Sequence, residues 1–143
     1  MAKTEVSMPN CWLLKTEPGA YSFQRLVKDK RTVWDGIKNN LALKNLSRVR
    51  KGDRFLIYHT GGEKVAVGVA RALGDAYPDP KKKDPKLLVV DIEPVKFLSR
   101  AVSLAEMKGN SRLGKFDLFR LPRLSVVPVS EGQWNIITRM AGQ

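Results

Sequence analysis

One imidazole and one thiol set the first limit on the chemistry open to this chain: His59 is its single histidine and Cys11 its single cysteine. Two such ligands cannot build the three- or four-ligand sets that hold zinc, and one cysteine closes no intramolecular disulfide. His59 ends a strand-like run beside Thr60 with no nucleophile elbow around it, so a hydrogen-bonded histidine at a strand terminus is expected rather than a catalytic base. Cys11 precedes Trp12 in an apolar run, which describes a buried, inert thiol. The carboxylates Glu17, Asp35, Asp53, Asp75, Asp79, Asp91 and Glu93 are dispersed, with no pair at a metal-binding or acid–base spacing. Neither the dinucleotide nor the P-loop glycine pattern occurs. The expectation is a protein that is not an enzyme and carries no cofactor and no metal.

Charge points elsewhere. The 143 residues hold 26 Lys and Arg against 14 Asp and Glu, a formal net charge of +12, yet 43% are hydrophobic, so the surplus lies on the surface of a folded domain. A basic surface attracts polyanions by counterion release, and nucleic acid is the expected partner. The densest run, Lys81-Lys82-Lys83-Asp84-Pro85-Lys86, follows Tyr77-Pro78-Asp79-Pro80, and its prolines place it in a loop suited to a phosphate backbone. Apolar runs are only a few residues long, against the roughly 18 to 20 of a spanning helix, so no membrane partner is expected. A monomer is expected, cytoplasmic and nucleoid-associated in a bacterium, or nuclear in a eukaryote.

The elements that must position these residues follow from periodicity. Cys11 to Lys15 reads as a buried strand ending at the Thr-Glu-Pro-Gly turn. Ser22 caps a helix with Phe23, Leu26 and Val27 on one face, ending near Lys30. Asn39 or Asn40 caps a second helix carrying Ala42, Leu43, Leu46 and Val49. Arg54 to Thr60 and Lys64 to Gly74, separated by Gly61-Gly62, form a hairpin. In its second strand Ala66, Gly68 and Ala70 alternate with valines, which predicts close approach on the small face. Leu87 to Leu98 is a further strand whose interruption at Pro94 suggests a sheet edge or a bend, and Arg123 to Val129 is the last, confined by Pro122 and Pro128. Ser103 with Glu106 and Ser130 with Gln133 are capping boxes, the second opening a helix with Trp134, Ile137 and Met140 on its docking stripe. With no strand-helix-strand series in evidence, an α+β domain with a mostly antiparallel sheet is predicted over residues 11–143, behind a tail over residues 1–10.

Six strings in order, Trp12-Leu13-Leu14-Lys15-Thr16-Glu17-Pro18, Trp34-Asp35-Gly36-Ile37-Lys38-Asn39, Tyr58-His59-Thr60, Val67-Gly68-Val69, Tyr77-Pro78-Asp79-Pro80 and Arg123-Leu124-Ser125-Val126 with Pro128-Val129, resemble the EVE domain family from about Cys11 to Met140. The resemblance implies a PUA-like fold, a small mixed, mostly antiparallel β-barrel flanked by short helices and related to the YTH readers of methylated adenine. It also implies a pocket for a flipped-out base, either modified cytosine in DNA or a modified RNA base. Such a pocket needs flat walls to replace lost stacking and polar groups to read an edge. Trp34, Tyr58 and Tyr77 are the candidate walls. Lys15, Thr16, Glu17, Asn39, Thr60, Asp79 and Ser125 are the candidate edge readers, with His59 beside them in the same string. Asn39 offers a base edge both a donor and an acceptor. Lys38, Lys81, Lys82, Lys83 and Arg123 are the candidate phosphate contacts. After Asn39 the family often has an aromatic residue and, three positions later, an arginine, where this chain has Asn40 and Leu43. The alternative reading is a general RNA-binding PUA-like domain that flips no base.

Overall fold

A computed structural model describes residues 9–142. Of the tail expected over residues 1–10, all but Pro9 and Asn10 lie outside the described residues. Strand β1 (Cys11–Thr16) buries Cys11 to Leu14 and takes the interior of the sheet because it is apolar on both faces. The hydrogen-bonded order is β2-β6-β4-β3-β1-β7, with β5 paired along β6. These are β2 (Thr32–Trp34), β3 (Arg54–His59), β4 (Val65–Ala72), β5 (Tyr77–Pro78), β6 (Leu88–Ser103) and β7 (Val126–Val129).

Antiparallel ladders dominate, but β1 pairs parallel with β3. This corrects the expectation that no strand-helix-strand unit is present. The chain between those strands carries α1 (Phe23–Asp29), β2 and α2 (Asn40–Leu46), a crossover of the length a parallel pair requires. Among the described residues β2 and β7 do not pair, and α2 packs against both β6 and β7. A helix rather than a ladder therefore covers the opening, and the sheet is a half-barrel.

Both leading helices start where the sequence predicts. Ser22 Oγ accepts the Arg25 N–H, and Asn39 Oδ1 accepts the Ala42 N–H, each at 3.0 Å. Val49 lies beyond the end of α2 but is still buried. The small face of β4 is met by Phe23, whose ring fills the space a Cβ at Gly68 would need. Strand β6 runs on past the expected end at Leu98 to Ser103, and the edge or bend expected at Pro94 takes the form of a bulge. Its register against β4 shifts between Val69 and Ala70, opposite that proline, so the bulge absorbs the missing N–H. Strand β7 starts only at Val126, because Leu124 N–H donates to Leu121 O in a turn. Pro128 sits within it, tolerated because β7 is an edge strand. The C-terminal half adds α3 (Leu104–Lys108), α4 (Asp117–Arg120) and α5 (Glu131–Met140), and both predicted capping boxes are formed.

Asp53 ties the start of β1 to the turn before β3. Only 3% exposed, it accepts the Asn10 N–H, the Trp12 indole N–H and the Arg50 N–H at 3.0, 3.0 and 2.9 Å. Asp53→Ala leaves three donors without their acceptor and is expected to cost about 3 kcal/mol. Urea denaturation checks this as a lower midpoint at unchanged slope.

Candidate functional site

Three local structures meet at one cavity. The first is β2, whose Thr32 and Trp34 pair with Ile92 and Val90 of β6. Opposed residues share a face of the sheet, so Thr32 and Trp34 turn inward with those buried partners while Val33 faces out. The second is the turn after Trp34, where Gly36 takes φ 78°, a conformation that favours glycine, and Ile37 anchors the far side in the core. The third is the loop that follows β1. Ala20 and Tyr21 N–H groups both donate to Glu17 O at 2.9 Å, and Thr16 Oγ1 donates to Tyr21 O at 2.6 Å. That folding brings the Tyr21 ring edge-on to Trp34, with centroids 6.1 Å apart and planes at 83°. The Tyr21 hydroxyl donates to Asp29 Oδ2 at 2.9 Å, which fixes the ring against α1.

Between these parts lies a cavity of about 410 Å³ lined by Lys15, Thr16, Tyr21, Thr32, Trp34, Asp35, Lys38 and Ser125, among others. The predicted Lys15, Thr16, Trp34, Lys38 and Ser125 are thus brought together. Tyr21, Thr32 and Asp35 join them without having been singled out as site residues. Asp35 stood inside a quoted string, but the contact of Tyr21 with Trp34 is purely tertiary. Lys15 is half-buried, and its desolvation pulls the ammonium pKa below the usual lysine value. Its Nζ donates to Pro122 O at 2.8 Å, and its backbone N–H donates to Ser125 O at 3.1 Å.

The remaining predicted residues lie outside this lining. Glu17 is exposed and accepts the Ala20 N–H at 3.1 Å. Asn39 spends one lone pair of its Oδ1 on the cap of α2, keeping its Nδ2 as a donor, and with Arg123 it lines a neighbouring cavity of about 300 Å³. Tyr58 and Thr60 line a third cavity of about 240 Å³ that also touches Lys15 and Pro122. His59 is 1% exposed; its Nε2 accepts the Phe23 N–H at 3.0 Å and its Nδ1 lies 2.8 Å from Glu63 Oε1. A neutral imidazole protonated at Nδ1 satisfies both contacts, so His59 pins the start of α1 to β3.

Tyr77 departs from its expected place as a wall, for a reason of register. It pairs with Val89 whereas Trp34 pairs with Val90, so the pleat sends the two rings to opposite faces of β6. Its hydroxyl donates to Asp91 Oδ1 at 2.6 Å, a bond that, with burial, pushes its pKa from 10.0 up to about 12. Asp79 is buried and accepts the Lys81 N–H at 2.9 Å, closing the β5–β6 loop. Lys81, Lys82 and Lys83 are exposed on that loop, at the same end of β6 as Trp34.

The EVE domain family model matches residues 10–140. The chain belongs to the EVE domain family. The solved structure of Rpa0253 from Rhodopseudomonas palustris is 36% identical, with a TM-score of 0.88 over 93% of each chain. Thymocyte nuclear protein 1 of Rattus norvegicus is 27% identical, over 92% of this EVE domain chain and 73% of the rat protein. The human THYN1 protein, solved in complex with DNA containing 5-methylcytosine, is 25% identical with a TM-score of 0.84, over 94% of this chain and 98% of that one. The PUA-like architecture expected from the six strings is thereby matched across nearly the whole EVE domain.

Proposed function

We propose that this EVE domain is a non-enzymatic DNA-binding module that reads a modified cytosine by taking the base, flipped from its stack, into the Trp34 cavity. The observation that carries the reading is the meeting of Trp34, Tyr21 and a polar rim in one cavity of about 410 Å³. The likeness to a human protein solved with 5-methylcytosine-containing DNA supports the choice of ligand.

The division of labour follows from the residues. Trp34 supplies a flat surface in place of the lost neighbours, and Tyr21, held perpendicular, closes a second side. Thr32, Asp35 and Ser125 are the groups of the lining suited to the polar edge of a cytosine, with the Asp35 carboxylate suited to accept from its exocyclic amine. Lys15 and Lys38 at the rim meet the phosphates beside the extruded base, and the loop of Lys81, Lys82 and Lys83 adds a salt-sensitive attraction. One methyl group is worth about 1 to 3 kcal/mol in such a site, a preference of roughly 5- to 150-fold over plain cytosine.

The test is a strand carrying 2-aminopurine beside 5-methylcytosine. Extrusion of the methylated base unstacks its neighbour, so fluorescence is expected to rise on binding, and to rise less with plain cytosine at equal saturation. Full binding with no change in fluorescence on either strand contradicts base flipping.

A further inference from the structure

Beside the Trp34 cavity lies a second one of about 300 Å³, lined by Asn39, Leu41, Arg120, Pro122, Arg123 and Leu124 with one further leucine. We propose that it holds the base of the nucleotide next to the modified one on the same strand, so that the protein takes two successive unstacked nucleotides. This rests on the reading of the Trp34 cavity as the base site.

Position is the first argument. Lys38 lines the first cavity and Asn39 the second, while Ser125 lines the first and Leu124 the second, so a single backbone step separates them on both sides. The Lys15 Nζ to Pro122 O hydrogen bond, 2.8 Å, joins a wall of one to a wall of the other. A strand that leaves its modified base in the first cavity therefore passes over the second.

Chemistry is the second argument. The floor is apolar, made of the buried Leu124 with Pro122 and Leu41 flanking it, the Leu41 side chain left 42% exposed. Such a surface gives an unstacked base the contact it loses in leaving its neighbours. The rim is cationic: Arg120 is held by Asp117 at 2.7 Å, Arg123 is exposed and makes no hydrogen bond or ion pair among the described residues, and no carboxylate belongs to the lining. Apolar floor and cationic rim match a base joined to its phosphate. Asn39, its Oδ1 engaged at 3.0 Å with Ala42 N, presents its Nδ2 as a donor to a ring nitrogen or carbonyl of that base. Two adjacent unstacked nucleotides are available in a single strand and must be opened in a duplex, so single-stranded 5-methylcytosine DNA is expected to bind more tightly than the same site in duplex.

The experiment is an abasic scan. Single strands bearing one 5-methylcytosine, each with an abasic residue at a different position, are titrated against the full chain at near-physiological salt, together with the plain-cytosine strand. Wild type is expected to lose affinity at the modified position and at one immediate neighbour, the neighbour costing about 10-fold. Leu41→Asp, at an exposed position that leaves the core untouched, is expected to abolish the neighbour effect and keep the preference for the methylated strand. A neighbour effect below about twofold in wild type, or one that persists in Leu41→Asp, overturns the inference while leaving the first cavity's role intact. Equal binding of methylated and plain strands defeats the base-site reading instead. A neighbour effect that still depends on Leu41 in that case leaves the second cavity standing as a base site.

Discussion

Trp34→Ala is expected to remove the preference for 5-methylcytosine while leaving weak, salt-sensitive binding. The indole is part of the cavity lining and is the group assigned to stack on the base, and base–aromatic stacking is worth about 1 to 3 kcal/mol, so affinity for the methylated strand should fall by roughly 5- to 150-fold. Plain DNA, held by phosphate contacts, should lose far less. Trp34 is also 8% exposed and part of the core, so its truncation costs stability as well, about 3 kcal/mol or more. Trp34→Phe separates the two effects by keeping a flat ring and much of the volume: it should retain most of the preference. Titrations run well below the melting temperature of each variant check this. An alanine variant that is folded and still prefers the methylated strand contradicts the role given to the indole.

A large effect on stability is expected at Gly68. A Cβ there would stand 2.3, 2.4 and 2.6 Å from Phe23 Cε2, Cζ and Cδ2, separations that side-chain carbons do not reach. The ring has little room to retreat. Phe23 is fully buried and packs edge-on against Phe97 at 4.9 Å, and its backbone N–H is held by His59. Gly68→Ala must therefore displace α1 or bend β4, at a cost of about 3 kcal/mol, which for a chain of this size is a fall of roughly 10 °C in Tm. Phe23→Leu in the same chain should recover part of the loss, a coupling that a double-mutant cycle measures. Because α1 follows directly on Tyr21, the alanine variant should also weaken recognition of the modified base before it unfolds.

Gly68 illustrates what was legible in the sequence. The alternation of Ala66, Gly68 and Ala70 with valines signalled a closely approached face, but nothing local named Phe23 as the neighbour. The caps at Ser22, Asn39, Ser103 and Ser130 were readable because each depends on residues within three positions. The parallel β1–β3 pair was not, since it depends on where a crossover of two helices returns. Pro94 signalled a sheet edge or a bend, and the bulge opposite it answers to that, whereas the edge position that admits Pro128 is a property of the sheet rather than of proline itself. The site divides in the same way. Lys15, Thr16, Trp34, Lys38 and Ser125 were singled out and converge. Tyr58 and Tyr77 carry aromatic rings suited to a wall, but one lines another cavity and one faces the opposite side of β6, a difference of a single step in register. Tyr21 supplies the second side of the cavity through a loop whose hydrogen bonds no spacing rule predicts.

Comparison of matched oligonucleotides, plain or carrying one 5-methylcytosine, titrated at low and near-physiological salt, tests the central claim most directly. Salt weakens phosphate contacts on both strands alike, whereas the contribution of the Trp34 cavity is not a phosphate contact and survives. The predicted result is two affinities that fall together as salt rises and stay separated by at least about 5-fold. Two affinities that coincide at every salt concentration would contradict a base-reading cavity and leave a basic domain held to DNA by its phosphates alone.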